Sequence, residues 1–219
     1  MSETLIISGG SIDIDFARNY LKNHSFDHII AVDGGLESAM KMNLVPGYIL
    51  GDFDTVSREI LDSYRTNPNI VFRQFQPEKD FTDTQSAIRL AMELETLTIT
   101  VLGGIGTRMD HSLANIQLLQ MPLEQGIDAV IINSHNRIRL LGVKRKEIEL
   151  KKSEYKYVSI LPLSESVSGL TLTGMKYPLG NYEMNMEQAI SLGVSNEIIE
   201  EPAVVKLKSG KIVLIESRD

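Results

Sequence analysis

The sequence contains no cysteine among its 219 residues. Without thiols the chain cannot form disulfides, bind a metal through thiolates or use a cysteine nucleophile. It also lacks any apolar run near the roughly 18 residues of a membrane-spanning helix. Its N-terminus has neither the basic segment nor the apolar stretch of a signal peptide. We therefore expect a cytoplasmic protein with no membrane partner.

The chain has fewer basic than acidic residues: 22 Lys and Arg and 29 Asp and Glu, which give a net charge of −7. Proteins that bind nucleic acid in general neutralise phosphates with basic side chains, so this balance argues against a nucleic-acid partner. The acidity is also uneven. Residues 1–135 carry a net charge of −9 and residues 136–219 a net charge of +2, a first indication of two domains.

Several common catalytic motifs are missing as well. The chain has no G-x-x-x-x-G-K-[ST], no H-E-x-x-H and no G-x-S-x-G, so a P-loop protein, a zincin and an α/β-hydrolase have no basis in motifs. The dinucleotide fingerprint G-x-G-x-x-G fails because Met109 stands where its third glycine is needed. The four histidines do not have the spacing of zinc ligands.

The hydrophobic pattern changes once along the chain. Residues 1–135 alternate short apolar runs, such as 5–8 and 29–32, with segments of helical spacing. This alternation is typical of an α/β domain with a mostly parallel sheet and helices on both faces. Residues 136–219 show strand after strand, which predicts an antiparallel β-sandwich. Within it, Ser209-Gly210 stands between two apolar runs and predicts a two-residue hairpin turn.

Glycines and aspartates follow four of the predicted strands in the first part. Ligands of parallel sheets bind at the carboxyl ends of the strands, so we expect these segments to meet at one edge. The four segments are Ser8-Gly9-Gly10, Asp33-Gly34-Gly35, Gly51-Asp52 and Gly103-Gly104.

Asp52 and Asp54 form the first acidic cluster. In an extended segment, side chains two residues apart point to the same side. Two hard oxygen ligands in that arrangement suit Mg²⁺, which shares its remaining positions with water and substrate phosphates. The alternative is a turn followed by a helix cap, because aspartate is common in both.

The second acidic cluster is Lys79-Asp80-Phe81-Thr82-Asp83. Thr82 and Gln85 form a capping-box pattern that predicts the start of a helix, and the helix dipole by itself favours Asp83 in the first turn. Capping does not account for Lys79 and Asp80. A lysine beside carboxylates at a strand-to-helix junction can steer phosphate oxygens while the acids hold a metal ion.

The third cluster spans residues 103–115. Its three glycines allow the backbone to approach a phosphate closely, and Arg108 can donate two hydrogen bonds to phosphate oxygens. Asp110 is a candidate metal ligand or general base. His111 and Asn115 lie one helical turn apart, and the alternative for them is a capping and surface pair.

In their order and spacing, these segments resemble the thiamine pyrophosphokinase family of the bacterial type. The resemblance continues into the second part of the chain and covers nearly its whole length. The matching segments are Asp33-Gly34-Gly35, Gly51-Asp52-Phe53-Asp54-Thr55, Lys79-Asp80-Phe81-Thr82-Asp83, residues 103–115, Gly174-Met175-Lys176-Tyr177-Pro178-Leu179 and Ser195-Asn196-Glu197.

The resemblance implies an α/β ATP-binding catalytic domain over residues 1–135 and a β-sandwich thiamine-binding domain over residues 136–219. It implies a homodimer, with thiamine held between the α/β domain of one subunit and the sandwich of the other. The reaction that it implies moves a pyrophosphoryl group from ATP to the thiamine hydroxyl and releases AMP. Two other classes stay open on the residues alone: another Mg²⁺-dependent nucleotide or sugar-phosphate transferase, and a non-catalytic nucleotide-binding module.

Residue chemistry and resemblance together define the candidate site. The candidate Mg²⁺ ligands are Asp52, Asp54, Asp80 and Asp83, and the candidate catalytic residues are these four with Arg108 and Asp110. The candidate ATP-binding residues are Gly9, Gly10, Asp33, Gly34, Gly35, Lys79, Gly104, Arg108, His111 and Asn115. The candidate thiamine-binding residues are Ser195 and Asn196. Some relatives, chiefly eukaryotic, stack thiamine on a tryptophan; this chain has none, and Tyr177, Tyr182 or an aliphatic wall would take its place.

Overall fold

The computed structural model describes residues 2–54, 56–74, 81–187 and 193–219. The chain forms two compact units. The first comprises Met1–Pro122 with Ile127–Ser134, and the second comprises Leu123–Gly126 with His135–Asp219. In the described part of the chain, no helix is long and apolar enough to cross a membrane.

Strands and helices alternate through the first 132 residues, as the apolar pattern predicts. In chain order they are β1 (Glu3–Ile7), α1 (Ile14–Leu21), β2 (His28–Val32), α2 (Gly35–Lys41), β3 (Tyr48–Gly51), α3 (Arg58–Arg65), β4 (Val71–Gln74), α4 (Asp83–Glu93), β5 (Thr98–Leu102), α5 (Met109–Leu118), α6 (Gln120–Glu124) and β6 (Asp128–Ile132). The six strands lie in the order β6-β5-β1-β2-β3-β4, and every neighbouring pair is parallel.

Helices cover both faces of this sheet. Leu5, Ile6 and Ile7 of β1 are all fully buried, and consecutive side chains of a strand point to opposite faces. Leu36 of α2 and Leu61 of α3 share one apolar cluster with strand residues, while α4 packs on β1, β2 and β3 and contacts α5. The fold class predicted for this part of the chain is confirmed.

The direction in which strands are added reverses between β1 and β5. From β1 the chain moves outwards through β2, β3 and β4, and then places β5 on the other side of β1. In sheets of this kind, ligands bind in a crevice at the carboxyl ends of the strands where the strand order reverses. Two backbone hydrogen bonds join these ends: Ser8 N donates to Leu102 O at 2.8 Å, and Gly10 N donates to Gly103 O at 3.0 Å.

Two helices that border this crevice begin differently. Thr82 caps α4, and its hydroxyl accepts a hydrogen bond from the backbone N of Gln85 at 3.2 Å, which confirms the predicted start of that helix. Arg108 is the N-cap of α5, and its side chain makes no capping hydrogen bond. The first backbone N–H groups of α5 therefore have no side-chain cap from Arg108.

The second unit is built from antiparallel strands. They are β7 (Asn136–Leu141), β8 (Glu147–Leu150), β9 (Tyr157–Pro162), β10 (Ser166–Thr173), β11 (Leu179–Asn185), β12 (Asn196–Glu197), β13 (Ala203–Lys206) and β14 (Ile212–Ser217). One layer has the order β12-β9-β14-β7 and the other β11-β10-β13-β8. Buried side chains from both layers, including Ile160, Leu214, Leu170 and Val205, form one core, as in the predicted sandwich.

The predicted hairpin at Ser209-Gly210 is wrong. β13 pairs with β8 and β10, whereas β14 pairs with β7 and β9, so the chain between them passes from one layer to the other. Gly210 has a φ of +89°, and a Cβ there would collide with the carbonyl of Ser166. A local turn pattern predicts where the chain reverses, but it does not determine which strands become partners.

Candidate active site

A cavity of about 420 Å³ lies at the carboxyl ends of β1, β2 and β5, within the first unit. Its place is the crevice that the strand order creates. Its size falls in the range of small-molecule sites. Its walls are the loops after these strands and the starts of α4 and α5: Ser8, Gly9, Gly10, Ser11, Val32, Asp33, Thr82, Asp83, Thr84, Gly103, Gly104, Gly106, Thr107, Arg108, His111 and Asn115.

The cavity brings together many of the predicted site residues. Those that line it are Gly9, Gly10, Asp33, Asp83, Gly104, Arg108, His111 and Asn115. Gly34, Gly35, Asp52 and Asp54 follow neighbouring strands, and Asp110 lies in the first turn of α5, but these five are not part of its lining. Lys79 and Asp80 lie outside the described residues, as does Thr55 of the quoted motif.

Asp33, Asp52 and Asp83 form an acidic group beside the cavity. They come from the end of β2, the end of β3 and the start of α4. The carboxyls of Asp33 and Asp83 share a hydrogen bond, and the backbone N of Phe53 donates to Oδ1 of Asp33 at 3.3 Å. Burial, the Asp83 carboxyl and, to a smaller extent, the Asp52 carboxyl raise the pKa of Asp33 to about 7. A cation placed here would relieve the repulsion among these carboxyls.

A glycine at the end of β3 makes room for the Asp33 carboxyl. Gly51 has a φ of +150°, and a Cβ at that position would overlap Oδ1 of Asp33. Asp33 itself has a φ of +41°, in the left-handed region that aspartate tolerates better than most residues. The sequence predicts ATP binding for Asp33 but does not predict its place among the carboxylates. The available indication was that Asp33 and Asp52 follow successive predicted strands.

Asp52 and Asp54 do not form the matched pair that an extended segment would produce. Phe53 between them has a φ of +64°, so the segment is not extended. The backbone N of Asp54 donates to Oδ1 of Asp52 at 3.1 Å, which is an aspartate turn of the kind the alternative interpretation described. Asp54 is exposed, whereas Asp52 is half-buried and close enough to influence the pKa of Asp33.

The acidic group fits Mg²⁺ in its chemistry. Mg²⁺ prefers hard oxygen ligands, and in phosphate-transferring sites it uses one or two carboxylates together with waters and substrate phosphates. Asp33, Asp52 and Asp83 supply such oxygens, and burial together with the neighbouring Asp83 and Asp52 carboxyls raises the pKa of Asp33. Among the described residues, no three or more His, Asp and Glu side chains are grouped so that they could hold a metal ion by themselves, so an ion here would depend on water and substrate phosphates for ligands.

The glycines at the two central loops serve the protein's own packing as well as the cavity. A Cβ at Gly10 would collide with the carbonyl of Gly103, so glycine is needed where the β1 and β5 loops touch. A Cβ at Gly9, in contrast, would meet the backbone of Gly34 and Gly35 at distances of 3.6 Å or more, which is ordinary van der Waals contact. Gly9 therefore leaves the backbone accessible to a ligand, while Gly10 also holds the two loops together.

Arg108 and Asp110 form an ion pair at the mouth of the cavity. Nε of Arg108 donates to Oδ1 of Asp110 at 3.3 Å, and Nη2 donates to Oδ2 at 2.6 Å. The hydrogen bond with Arg108 holds the pKa of Asp110 below its usual range. Both side chains are exposed, and exposed pairs contribute little to stability. Arg108 can therefore exchange Asp110 for the oxygens of an anionic ligand at small cost.

Ser112 and Asn115 of α5 hold the loop that follows β5. The amide of Asn115 donates to the carbonyl of Gly104 at 2.8 Å, and Ser112 Oγ lies within hydrogen-bonding distance of Arg108 O and of both backbone polar atoms of Gly106. Both residues are buried, so Asn115 is not part of a surface pair. Ser112 was not predicted; the available indication was two polar residues three apart on a helix that follows a glycine-rich loop.

The predicted thiamine-binding residues lie in the second unit. Asn196 is buried and bound to the main chain of Tyr177: its Oδ1 accepts from Tyr177 N at 3.0 Å, and its Nδ2 donates to Tyr177 O at 2.8 Å. Ser195 is exposed. Tyr177 is 62% exposed, whereas Tyr182 packs against the core. Of the two tyrosines proposed to replace tryptophan, Tyr177 has its ring at the surface.

Two family models match the chain. The model described as "Thiamin pyrophosphokinase, catalytic domain" matches residues 17–131, and the model described as "Thiamin pyrophosphokinase, vitamin B1 binding domain" matches residues 145–212. The first match contains the acidic group and α5. The second contains Tyr177, Ser195 and Asn196.

Proteins of known structure and sequence agree with these matches. The thiamine pyrophosphokinase of Bacillus subtilis (strain 168) is 32% identical over 216 residues, which are 98% of each chain. The crystal structure of thiamine pyrophosphokinase from Bacillus subtilis aligns with a TM-score of 0.88 and 30% identity, covering 100% of both chains. The thiamin pyrophosphokinase of Geobacillus thermodenitrificans aligns with a TM-score of 0.85 and 26% identity, covering 100% of this chain and 98% of its own.

Proposed function

The chain belongs to the thiamine pyrophosphokinase family, and on that premise we propose how its residues carry the reaction. As an enzyme of this family, it moves a pyrophosphoryl group from ATP to the hydroxyl of thiamine and produces thiamine diphosphate and AMP. One observation carries the assignment of residues: one cavity is lined both by the carboxylates of Asp33 and Asp83 and by the cationic or polar donors of Arg108 and His111.

We place the triphosphate of ATP in this cavity. The backbone beside Gly9, Gly34 and Gly104 can approach phosphate oxygens closely, and the N-terminus of α5 favours negative charge. Arg108 supplies a planar pair of donors that matches two phosphate oxygens. Asp110 orients Arg108 before the nucleotide arrives, and His111 faces the same space one turn into the helix. Lys79 is proposed to contact the phosphates on the basis of its sequence pattern alone.

Asp52 and Asp83 would hold Mg²⁺, with Asp33 beside them and with Asp54 and Asp80 completing the proposed set. Bound there, the ion would neutralise charge on the oxygens of the transferred group. The protein's own part is to keep the attacking hydroxyl and the leaving AMP in line. Arg108 stabilises the charge that develops on the pyrophosphoryl group. A primary alcohol is a weak nucleophile, and one carboxylate of the acidic group accepts its proton.

We propose that thiamine uses the surface around Tyr177, Ser195 and Asn196. Asn196 acts through its two hydrogen bonds to the Tyr177 main chain, which hold the backbone that carries the exposed tyrosine. An aromatic face attracts cations, and the thiazolium of thiamine is one. In this proposal Tyr177 takes the place of the tryptophan that the chain lacks.

We further propose that the enzyme is a homodimer of the cytoplasm, as the family resemblance and the sequence imply. Sedimentation equilibrium tests the oligomeric state directly. The expected molar mass is twice the 24.4 kDa of one chain. A species of one chain's mass at enzyme concentrations that turn over substrate would overturn the dimer.

The deciding experiment incubates the protein with ATP, thiamine and Mg²⁺ and follows all nucleotides and thiamine esters by mass spectrometry. Equal amounts of AMP and thiamine diphosphate, formed only when thiamine is present, are expected. ADP with thiamine monophosphate would show a different transferase. Binding of ATP without thiamine-dependent turnover would show a nucleotide-binding module. Chelation of divalent metal with EDTA is the matched control for the role of Mg²⁺.

A further inference from the structure

We infer that Ser112 and Asn115 are positioning residues that hold the β5 loop, residues 103–107, in the shape that receives ATP. The inference rests on the proposed function, because it assigns the cavity to the nucleotide. It changes the role of Asn115 from a direct ATP ligand to a support of the loop, and it adds Ser112, which carried no predicted role.

The contacts fix the loop at two points. Asn115 Nδ2 donates to Gly104 O at 2.8 Å, near the start of the loop. Ser112 Oγ accepts from Gly106 N at 3.2 Å and lies 3.0 Å from Arg108 O, at the end of the loop. Ser112 is 2% exposed and Asn115 is 7% exposed, so water competes little for these hydrogen bonds.

The effect of this support extends to the second central loop. Gly103 O accepts a hydrogen bond from Gly10 N at 3.0 Å, and both glycines line the cavity. A displacement of the β5 loop would therefore move the β1 loop as well. It would also move Arg108, which directly follows the β5 loop and pairs with the proposed phosphates. The two buried side chains thus preorganise backbone and guanidinium together, which lowers the cost of ordering them when ATP binds.

A direct contact with ATP is the competing explanation for Asn115, since Asn115 lines the cavity. Ser112 separates the two explanations. It is not part of the cavity lining and reaches the ligand only through the loop that it holds. A change in ATP affinity after removal of the Ser112 hydroxyl therefore reports on loop position.

The test measures Mg²⁺–ATP and thiamine binding to the full-length protein by calorimetry, together with kcat and KM for each substrate. Ser112→Ala should weaken ATP binding about tenfold, because a buried hydrogen-bonding group of the loop loses its partner. Asn115→Asp, which keeps the shape but presents a carboxylate to Gly104 O, should weaken it at least as much. Thiamine binding should change less than about twofold in both. Ser112→Thr keeps the hydroxyl and should restore ATP binding.

Gln117→Ala is the matched control, because Gln117 is an exposed amide on the same helix. It should leave ATP binding unchanged. Hydrogen exchange supplies a readout without ligand: Ser112→Ala should accelerate exchange in the β5 loop while the strands of the second unit keep their protection.

Wild-type affinity for ATP in Ser112→Ala would overturn the inference even if Asn115→Asp binds poorly, since a carboxylate at position 115 also repels the triphosphate directly. An equal loss of thiamine and ATP binding, with faster exchange throughout the chain, would also overturn it by showing a general loss of folding. If the wild-type protein itself neither bound ATP nor released AMP, the proposed function would fail first, and that result is distinct from both.

Discussion

At the scale of single residues, the site depends on charges placed next to each other and on the groups that compensate them. Asp33 and Asp83 share a hydrogen bond in a half-buried setting, while Arg108 and Asp110 pair in the open. The acidic group therefore carries negative charge that a bound cation would neutralise. The guanidinium is held by a partner that an anionic ligand can replace at small cost.

Replacement of Asp83 by Asn should lower kcat by at least about a hundredfold, because an electrostatic contribution in the transition state is lost. Its effect on stability should stay below about 1 kcal/mol, the size of a first-turn interaction with the helix dipole. Steady-state kinetics and urea denaturation measure the two effects. Asp15→Asn is the matched control, as an exposed first-turn aspartate of α1, and should keep full turnover. Near-normal turnover in Asp83→Asn would contradict the metal and base roles.

Replacement of Arg108 by Lys should lower kcat/KM for ATP by about a hundredfold, since lysine keeps the charge but cannot donate two parallel hydrogen bonds. The KM for thiamine should be unchanged. The melting temperature should also be unchanged, because the Arg108–Asp110 pair is exposed. A lysine variant as active as the wild type would show that charge alone suffices at this position.

At the scale of elements, the second unit contains a buried ion group at one end of its sheet. Glu216 of β14 is 3% exposed and accepts hydrogen bonds from Arg137 at 3.2 Å and Arg139 at 3.0 Å, both on β7. Strand register places Arg137 directly opposite Glu216. Tyr155, in the segment before β9, has its ring beneath the Arg137 guanidinium, whose central carbon is 4.9 Å from the ring centre. Paired charges there link β7, β14 and the segment before β9.

Glu216→Ala should lower the free energy of unfolding by about 3–5 kcal/mol, because it removes the carboxylate that pairs with two largely buried arginines. Glu147→Ala is the matched control: it breaks an exposed pair with Lys206 in the same unit and should cost less than about 1 kcal/mol. Guanidinium denaturation of both variants makes the comparison. Equal losses of unfolding free energy in the two variants would mean that the burial of Glu216 does not determine its contribution to stability.

Tyr155 should produce a dependence of stability on pH in alkaline solution. Burial raises the pKa of Tyr155 from 10.0 to about 12. Below pH 10 the phenol is neutral in both states, and between pH 10 and 12 it ionises more readily in the unfolded chain, so the folded state loses stability as the pH rises. The free energy of unfolding should fall less steeply across this window in Tyr155→Phe. Identical pH dependence in both proteins would contradict the shifted pKa.

At the scale of the whole molecule, the distribution of charge follows the division of the chain. The part with a net charge of −9 contains the cavity that we assign to ATP, itself a polyanion. Without a metal ion the acidic group would repel the nucleotide. With Mg²⁺ the same carboxylates become ligands, so binding of metal and of nucleotide should depend on each other.

ATP with Mg²⁺ should therefore raise the melting temperature, while ATP with EDTA should have little effect. Ligand at a hundred times its Kd stabilises the folded state by about 2.7 kcal/mol, which is readily measured by differential scanning fluorimetry. Mg²⁺ without ATP controls for the metal alone. Stabilisation of the same size by ATP in EDTA would show that the nucleotide does not need the metal ion.

The amino-acid sequence by itself determined the fold class of each half of the chain and the segments that contain the candidate site residues. Continuous apolar runs, without alternation of apolar and polar residues, predict strands that are buried on both faces. Glycines and aspartates directly after such runs predict a ligand-binding edge of the sheet. The capping pattern of Thr82 and Gln85 predicted the start of α4, because a helix cap forms between residues close together in the chain. These properties depend on residues close together in the chain.

Only the tertiary structure decided which distant groups meet. Asp33 and Asp83 are fifty residues apart in sequence, and their hydrogen bond exists because β2 and α4 lie side by side and Gly51 has no side chain. The turn at Phe53 separated Asp52 from Asp54, and the crossing between layers at Gly210 replaced the expected hairpin. The roles of Ser112 and Asn196 as supports became visible for the same reason. Each of these two roles depends on backbone atoms that the fold brings close to the side chain. A local sequence pattern does not indicate which distant residues become neighbours.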